Sequence, residues 1–96
     1  MSGSTLSTSG LDVRRKRILF RCWHRGMKEM DLLLGRFADA RLSSLSEGEL
    51  DTLEDLMEIG DQELFSWMSG RKPVPKDMET EIYRDILSFH ETKTTR

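Results

Sequence analysis

Residues 25–29, Arg-Gly-Met-Lys-Glu, separate two segments whose apolar residues recur at helical spacing. Arg14 to His24 carries a narrow apolar stripe and Met27 to Leu42 a wider one. Gly26 falls where the first helix must stop, and glycine tolerates the left-handed conformation that closes many helices. The stretch therefore predicts a tight joint between two amphipathic helices, and this joint is a candidate docking surface.

Charged residues stand on both sides of the joint. Glu29 is expected in the first turn of the second helix, where the positive end of the helix dipole favours a carboxylate. Arg25 is expected in the last turn of the first helix, the end that favours a cation. Ordinary helix termini favour the same residue types. Spacing alone therefore leaves two interpretations open: these residues only end one helix and begin the next, or they also form a contact surface.

Three further helices are predicted after the joint. Ser46 and Glu49 form a capping-box pattern that opens the third, and Gly60 ends it. Asp61 is expected to be the N-cap of a short fourth helix that Gly70 closes. The apolar positions of a fifth helix are Met78, Ile82, Ile86 and Phe89. No segment alternates with period two, so we predict an all-α fold, a compact bundle of about five short helices.

The composition is typical of one small helical domain. The chain has 96 residues, of which 33% are charged and two are proline. We predict a single helical domain over 13–91, with disordered tails at 1–12 and 92–96. The first ten residues contain no apolar signal region, and no run approaches the ~20 apolar residues of a membrane span. We therefore expect a bacterial cytoplasmic protein, or one of the mitochondrial matrix in a eukaryote.

The reactive residue types predict neither catalysis nor metal binding. Cys22 and His24 lie two residues apart and have no second ligand pair, whereas a structural zinc site takes four ligands. Cys22 has no designated base, and its apolar position favours core packing. His24 is expected to be exposed. We predict that the chain is not an enzyme and has no catalytic or metal-binding residue.

Four motifs follow one another in unbroken order along the chain. They are Arg-Gly-x-x-Glu (25–29), Met-Asp-Leu-Leu-Leu-Gly-Arg-Phe (30–37), Leu-Ser-Glu-x-Glu-Leu (45–50) and Asp-x-x-Leu-Phe-x-Trp-Met-x-Gly (61–70). Over residues 14–90 the chain resembles the succinate dehydrogenase assembly factors, which are also called flavinylation factors. The resemblance implies a small five-helix protein that binds the flavoprotein subunit of succinate dehydrogenase, or in some bacteria of fumarate reductase. It implies promotion of covalent FAD attachment to a histidine of that subunit, and no cofactor of its own.

The resemblance also implies where the partner binds. In that family the Arg-Gly-x-x-Glu motif forms the contact surface, which corresponds here to Arg25, Gly26 and Glu29. The neighbouring Trp23 is either a core residue or an interface anchor, since aromatic residues are enriched at binding hot spots. The remaining candidates, which lie inside the matching stretch and would extend the same surface, are Asp31 and Arg36.

A different class of function remains as the alternative. Arg14 to Arg17 is a basic run, with Arg21 and Arg25 one and two turns further on, as a nucleic-acid-binding arm would show. Some proteins similar to this family have been described as antitoxin-like, so a small nucleic-acid-binding or antitoxin-like regulator is the second hypothesis. The net charge of −2 argues against nucleic acid, as do aromatic residues that are not expected to interleave with the basic face. An adaptor with an unrelated client is a third.

Overall fold

The computed structural model describes residues 10–94, with side chains for 10–90, and within them the chain forms five α-helices and no β-strand. The helices are α1 (Val13–Trp23), α2 (Lys28–Arg41), α3 (Glu47–Met57), α4 (Asp61–Met68) and α5 (Glu81–Thr94). Two short 3₁₀ segments occupy Leu42–Ser44 and Lys76–Met78. The all-α prediction is confirmed. The chain divides after Leu45 into two compact units.

In the first unit, α1 packs against α2. The predicted stripe of α1 is buried, as are most of the apolar positions of α2, and each such side chain contributes roughly 1.5–3 kcal/mol when it leaves water. The buried residues are Ile18, Leu19, Cys22 and Trp23 of α1 and Met30, Leu34, Phe37 and Ala38 of α2. Arg15 joins the first turn of α1 to the end of α2, because its Nε donates to the Leu42 carbonyl over 3.0 Å. A second guanidinium nitrogen of Arg15 donates to the carbonyl of Leu45.

In the second unit, α3 packs against α5. The predicted capping box is present: the Glu49 amide donates to Ser46 Oγ over 3.2 Å, and the Ser46 amide donates to Glu49 Oε1 over 2.8 Å. The buried residues of these helices are Leu50, Leu53, Leu56 and Met57 of α3 and Ile82, Tyr83 and Ile86 of α5. Gly70 follows α4 with φ +83°, so it closes that helix as predicted.

The predicted beginnings of the last two helices were wrong. Gly60, not Asp61, is the N-cap of α4, because the Leu64 amide makes the first helical hydrogen bond to the Gly60 carbonyl over 2.9 Å. Asp61 lies in the first turn instead, where the helix dipole still favours its carboxylate. Met78 belongs to a 3₁₀ segment rather than to α5. Thr80 opens α5, because its Oγ1 accepts from the Tyr83 amide over 3.2 Å.

The predicted tails lie largely outside the described residues. Positions 1–9 and 95–96 are not described, so that part of the prediction stays a prediction. Residues 92–94, which the sequence assigned to a tail, are helical, since α5 runs to Thr94. No glycine or proline follows Pro75 in the chain, so no helix-breaking residue stops α5 at 91.

Candidate functional site

The loop between α1 and α2, residues 24–27, contains the centre of the predicted surface. Gly26 is exposed and has φ +103°, a backbone conformation that side chains with a Cβ rarely adopt. A Cβ built at Gly26 meets no atom within 4 Å, so the backbone conformation, and not lack of space, requires glycine here. The positive φ predicted for Gly26 is confirmed, but Gly26 does not close α1 as expected, since that helix ends at Trp23 with His24 as its C-cap. Arg25 lies in the loop and not in the last turn of α1 as expected, because α1 already ends at Trp23.

Asp31 fixes this loop from within α2. The Arg25 backbone amide donates to Asp31 Oδ1 over 2.7 Å, and Asp31 itself is half-buried in the first turn of α2. A hydrogen bond to a charged acceptor contributes roughly 1.5–3 kcal/mol, which restricts a loop that contains a flexible glycine. Asp31 therefore holds the predicted contact residues in place, whether or not it also touches a partner.

Glu29 and Arg36 share a face of α2. They are seven residues apart, which places them within roughly 20° of each other around the helix axis. Both are exposed. Asp31 lies roughly 140° away from Arg36 on the same helix, so these two candidates do not share a face of α2. The structure thus brings Glu29 and Arg36 together on an exposed face that begins beside the loop.

Trp23 is a buried residue of the α1–α2 contact, with 8% of its surface exposed. Its indole lies against Gly35 in the middle of α2: a Cβ built at Gly35 would stand only 2.5 Å from Cε2 of the indole ring. The indole Nε1 donates to Asp39 Oδ1 over 3.3 Å. These three residues, here called the Trp23 clasp, tie the last residue of α1 to α2. Trp23 is therefore a core residue of the α1–α2 contact, directly before the loop.

Sequence reasoning missed the two α2 residues of the Trp23 clasp. Gly35 carried a signal, because a glycine inside a helix is roughly 1 kcal/mol less favourable than alanine and often marks a close approach. Asp39 carried no signal, since an aspartate on an amphipathic helix is ordinary. Its role depends on which indole lies opposite, and that depends on how α1 crosses α2.

Cys22 is a core residue, as predicted. It has no exposed surface, and burial raises the pKa of its thiol to about 12. The thiol is therefore protonated at neutral pH and is no nucleophile. His24 is exposed, also as predicted. Among the side chains that the structure describes, no group of three or more His, Cys, Asp or Glu residues is placed to hold a metal ion.

The basic run of α1 is only partly presented to solvent. Arg15 is engaged within its unit: besides its hydrogen bonds to the carbonyls of Leu42 and Leu45, its Nη1 donates a hydrogen bond to Asp12 Oδ1 over 3.0 Å. That hydrogen bond holds the pKa of the Asp12 carboxyl below its usual range. The expectation that no aromatic residue interleaves with the basic face was wrong, because Phe20 is 63% exposed between Arg17 and Arg21.

No helix within residues 10–94 combines the length and the apolar composition needed to cross a bilayer.

The site as a whole consists of a restrained glycine loop, an exposed face of α2 and the buried Trp23 clasp behind them. An exposed, restrained loop beside a charged helical face is a surface suited to contact with another molecule, on a small helical protein.

Comparison with known proteins identifies the kind of binding protein. A family model described as the flavinator of succinate dehydrogenase matches residues 16–90, and the chain belongs to that family. It is 37% identical over 86 residues to the "FAD assembly factor SdhE" of Acetobacter pasteurianus, covering 90% of this chain and 79% of that protein. The names of this and the following relatives describe assembly factors and not enzymes.

Relatives in eukaryotes are named as mitochondrial proteins. The "Succinate dehydrogenase assembly factor 2, mitochondrial" of Dictyostelium discoideum is 36% identical over 82 residues, covering 85% of this chain and 57% of that protein. The protein of the same name from Caenorhabditis elegans is 35% identical over 86 residues, covering 86% of this chain and 72% of that protein. The family therefore occurs in a bacterium and in mitochondria.

Proposed function

We propose that this chain binds the flavoprotein subunit of succinate dehydrogenase and promotes covalent attachment of FAD to that subunit. The observation that carries the proposal is the family match over residues 16–90, supported by 37% identity to an FAD assembly factor. We propose further that FAD is held by the partner, and that the chain works in the bacterial cytoplasm or, in a eukaryote, in the mitochondrial matrix. In cells that have fumarate reductase, its flavoprotein is a second client.

Partner binding is assigned to the α1–α2 loop and the adjacent face of α2. Gly26 is exposed and bears no side chain, so a partner backbone can approach closely there. Arg25 beside it and Glu29 in the first turn of α2 offer charges of opposite sign to polar groups of the partner. Because Asp31 and the Trp23 clasp hold the loop from behind, little conformational entropy is lost when it binds.

Such a protein can promote the attachment reaction without a catalytic group. The partner's histidine must be held against the flavin carbon with which it bonds, and correct orientation of this kind is worth ~7 kcal/mol or more of the barrier. A binding protein that prefers the attachment-competent arrangement of a mobile flavoprotein shifts the population towards it by its differential affinity. The loop residues therefore act by selecting a geometry of the partner.

The test compares two glycines that have the same backbone requirement. Gly26 and Gly70 both have positive φ, and a Cβ built at either meets nothing within 4 Å. Cells that lack this gene are complemented with the wild type, Gly26→Arg or Gly70→Arg, and covalent flavin on the flavoprotein subunit is measured by fluorescence in a denaturing gel. We expect the wild type and Gly70→Arg to restore the signal and Gly26→Arg not to restore it.

Two results would overturn parts of the proposal. Full covalent flavin in cells that lack the gene would overturn the function itself. A Gly26→Arg protein that keeps its circular dichroism spectrum and still supports flavin attachment would overturn the assignment of the loop as the contact surface. Loss of attachment with both folded arginine variants would also remove the loop's special role.

A further inference from the structure

A large aromatic side chain of α1 is left outside the core. Phe20 is 63% exposed, whereas its neighbours Ile18 and Leu19 are buried. Among the described side chains, the other large hydrophobic residue that is exposed is Val13, at 69%. Val13 and Phe20 are seven residues apart and so lie on one face of α1. This face is turned away from the contact that α1 makes with α2.

Phe20 is held in a fixed orientation by His24. The two rings are stacked, with centroids 4.0 Å apart and an interplanar angle of 17°. His24 Nδ1 lies 2.7 Å from the Phe20 carbonyl oxygen, and because a carbonyl only accepts, Nδ1 carries the hydrogen. The stack, here called the Phe20–His24 platform, is therefore a flat apolar surface that is ordered before anything binds. Immobilising a free side chain on binding costs about 0.5–1.5 kcal/mol, and the platform avoids much of that cost.

Cations surround the platform. Lys16 and Arg17 are exposed one turn before Phe20, and Arg21 follows it directly. No aspartate or glutamate occurs between Val13 and Trp23. An apolar centre with a cationic rim is complementary to an apolar patch that is bordered by carboxylates, and opposite charges of this kind also accelerate association at low salt.

The platform is continuous with the proposed partner-binding loop, because His24 directly precedes Arg25. We propose that the Phe20–His24 platform is a second contact area for the same flavoprotein subunit, where it docks on an apolar patch rimmed by carboxylates. This inference rests on the proposed function. Binding thus extends from the α1–α2 loop along the outer face of α1, and Phe20 is its apolar anchor.

A protein occupant fits the platform better than single-stranded nucleic acid. Proteins that bind single strands stack successive bases on several aromatic side chains, whereas Phe20 is the aromatic residue exposed on α1. Arg15, the second residue of the basic run, is engaged with backbone carbonyls of its own unit. A compact apolar anchor beside a loop cation, Arg25, and a carboxylate in the first turn of the next helix, Glu29, is the pattern of a protein interface.

The test measures the affinity of the full chain for the purified flavoprotein subunit of succinate dehydrogenase by isothermal titration calorimetry. We expect Phe20→Ala to raise Kd by about tenfold or more, the scale of an interface hot spot, and Phe20→Tyr, which keeps the ring, to stay within about threefold of the wild type. The matched control is Phe89→Ala, because Phe89 also contacts a histidine, with ring centroids 5.1 Å apart, but lies on α5. It should leave Kd unchanged.

The outcomes separate this inference from the proposed function. If the wild type binds the subunit and Phe20→Ala binds equally well, the platform is not a contact and the inference fails while the proposed function stands. If the wild type does not bind the subunit at all, both fail. Two further measurements test other occupants of the platform. Phe20-dependent self-association in analytical ultracentrifugation would indicate a second copy of the chain, and Phe20-dependent binding of a single-stranded oligouridine would indicate nucleic acid. Either result without a change in flavoprotein affinity overturns the inference.

Discussion

Replacing Gly35 by alanine tests the Trp23 clasp directly. The new Cβ would lie 2.5 Å from indole Cε2, whereas ordinary contact begins near 3.4 Å, so the indole must move away by about an ångström. Forcing an extra methyl group into a packed contact costs about 1–3 kcal/mol. Movement of the ring also lengthens the Nε1 hydrogen bond to Asp39, which is already 3.3 Å long and contributes about 1 kcal/mol.

Helix propensity opposes these losses. Gly35 lies in the interior of α2, where alanine is favoured over glycine by roughly 1 kcal/mol. The steric and hydrogen-bond terms exceed this gain, so we expect Gly35→Ala to lower the free energy of unfolding by about 2 kcal/mol. For a chain of this size that change corresponds to a fall in Tm of roughly 10 °C.

The assay is urea and thermal unfolding followed by far-ultraviolet circular dichroism. Gly48→Ala is the matched control, because its Cβ would meet only Ser46 Oγ at 4.0 Å, so it should be neutral or slightly stabilising. In a double-mutant cycle, Trp23→Leu should relieve the clash, which makes the combined loss smaller than the sum of the single losses. A Gly35→Ala protein as stable as the wild type, or a cycle that is strictly additive, would refute the packing of Trp23 on Gly35.

Three further changes have defined expected outcomes. Asp31→Ala should lower the free energy of unfolding by roughly 1.5–3 kcal/mol and speed hydrogen exchange at the Arg25 amide, whereas Asp31→Asn, which keeps an acceptor, should change both less. The free energy of unfolding should fall as pH rises above roughly 8.5, because the unfolded Cys22 thiol ionises there while the folded pKa is about 12. Burial also raises the pKa of Tyr83, so the pH dependence is read as the difference between the wild type and Cys22→Ala, and identical slopes would contradict the Cys22 contribution. Ser46→Ala should lower the free energy of unfolding by about 1 kcal/mol in urea titrations, because the α3 capping box loses its acceptor; an unchanged midpoint would show that water replaces it fully.

Local pattern predicted most of the secondary structure. The stripe Ile18, Leu19 and Cys22 is buried as its spacing indicated, because a period near 3.6 places these residues on one side of a helix. The capping box at Ser46 was also readable, since both of its hydrogen bonds join residues three apart. The errors at Asp61 and Met78 are boundary errors. Capping preference ranks aspartate above glycine and so favoured Asp61, but helix boundaries read from local preference shift by one or two residues.

For the candidate site, the sequence determined the parts and the tertiary structure determined their roles. The glycine at 26 between two amphipathic segments predicted the positive φ that the structure shows, because the conformational freedom of glycine is a local property of its backbone. Whether Trp23 faces α2 or solvent, and whether Phe20 joins the core, depends on the crossing of α1 and α2, which brings together residues twelve or more positions apart. Local spacing carries no information about such a crossing. The packing of two helices therefore decided which aromatic residue is buried in the core, Trp23, and which stays exposed, Phe20.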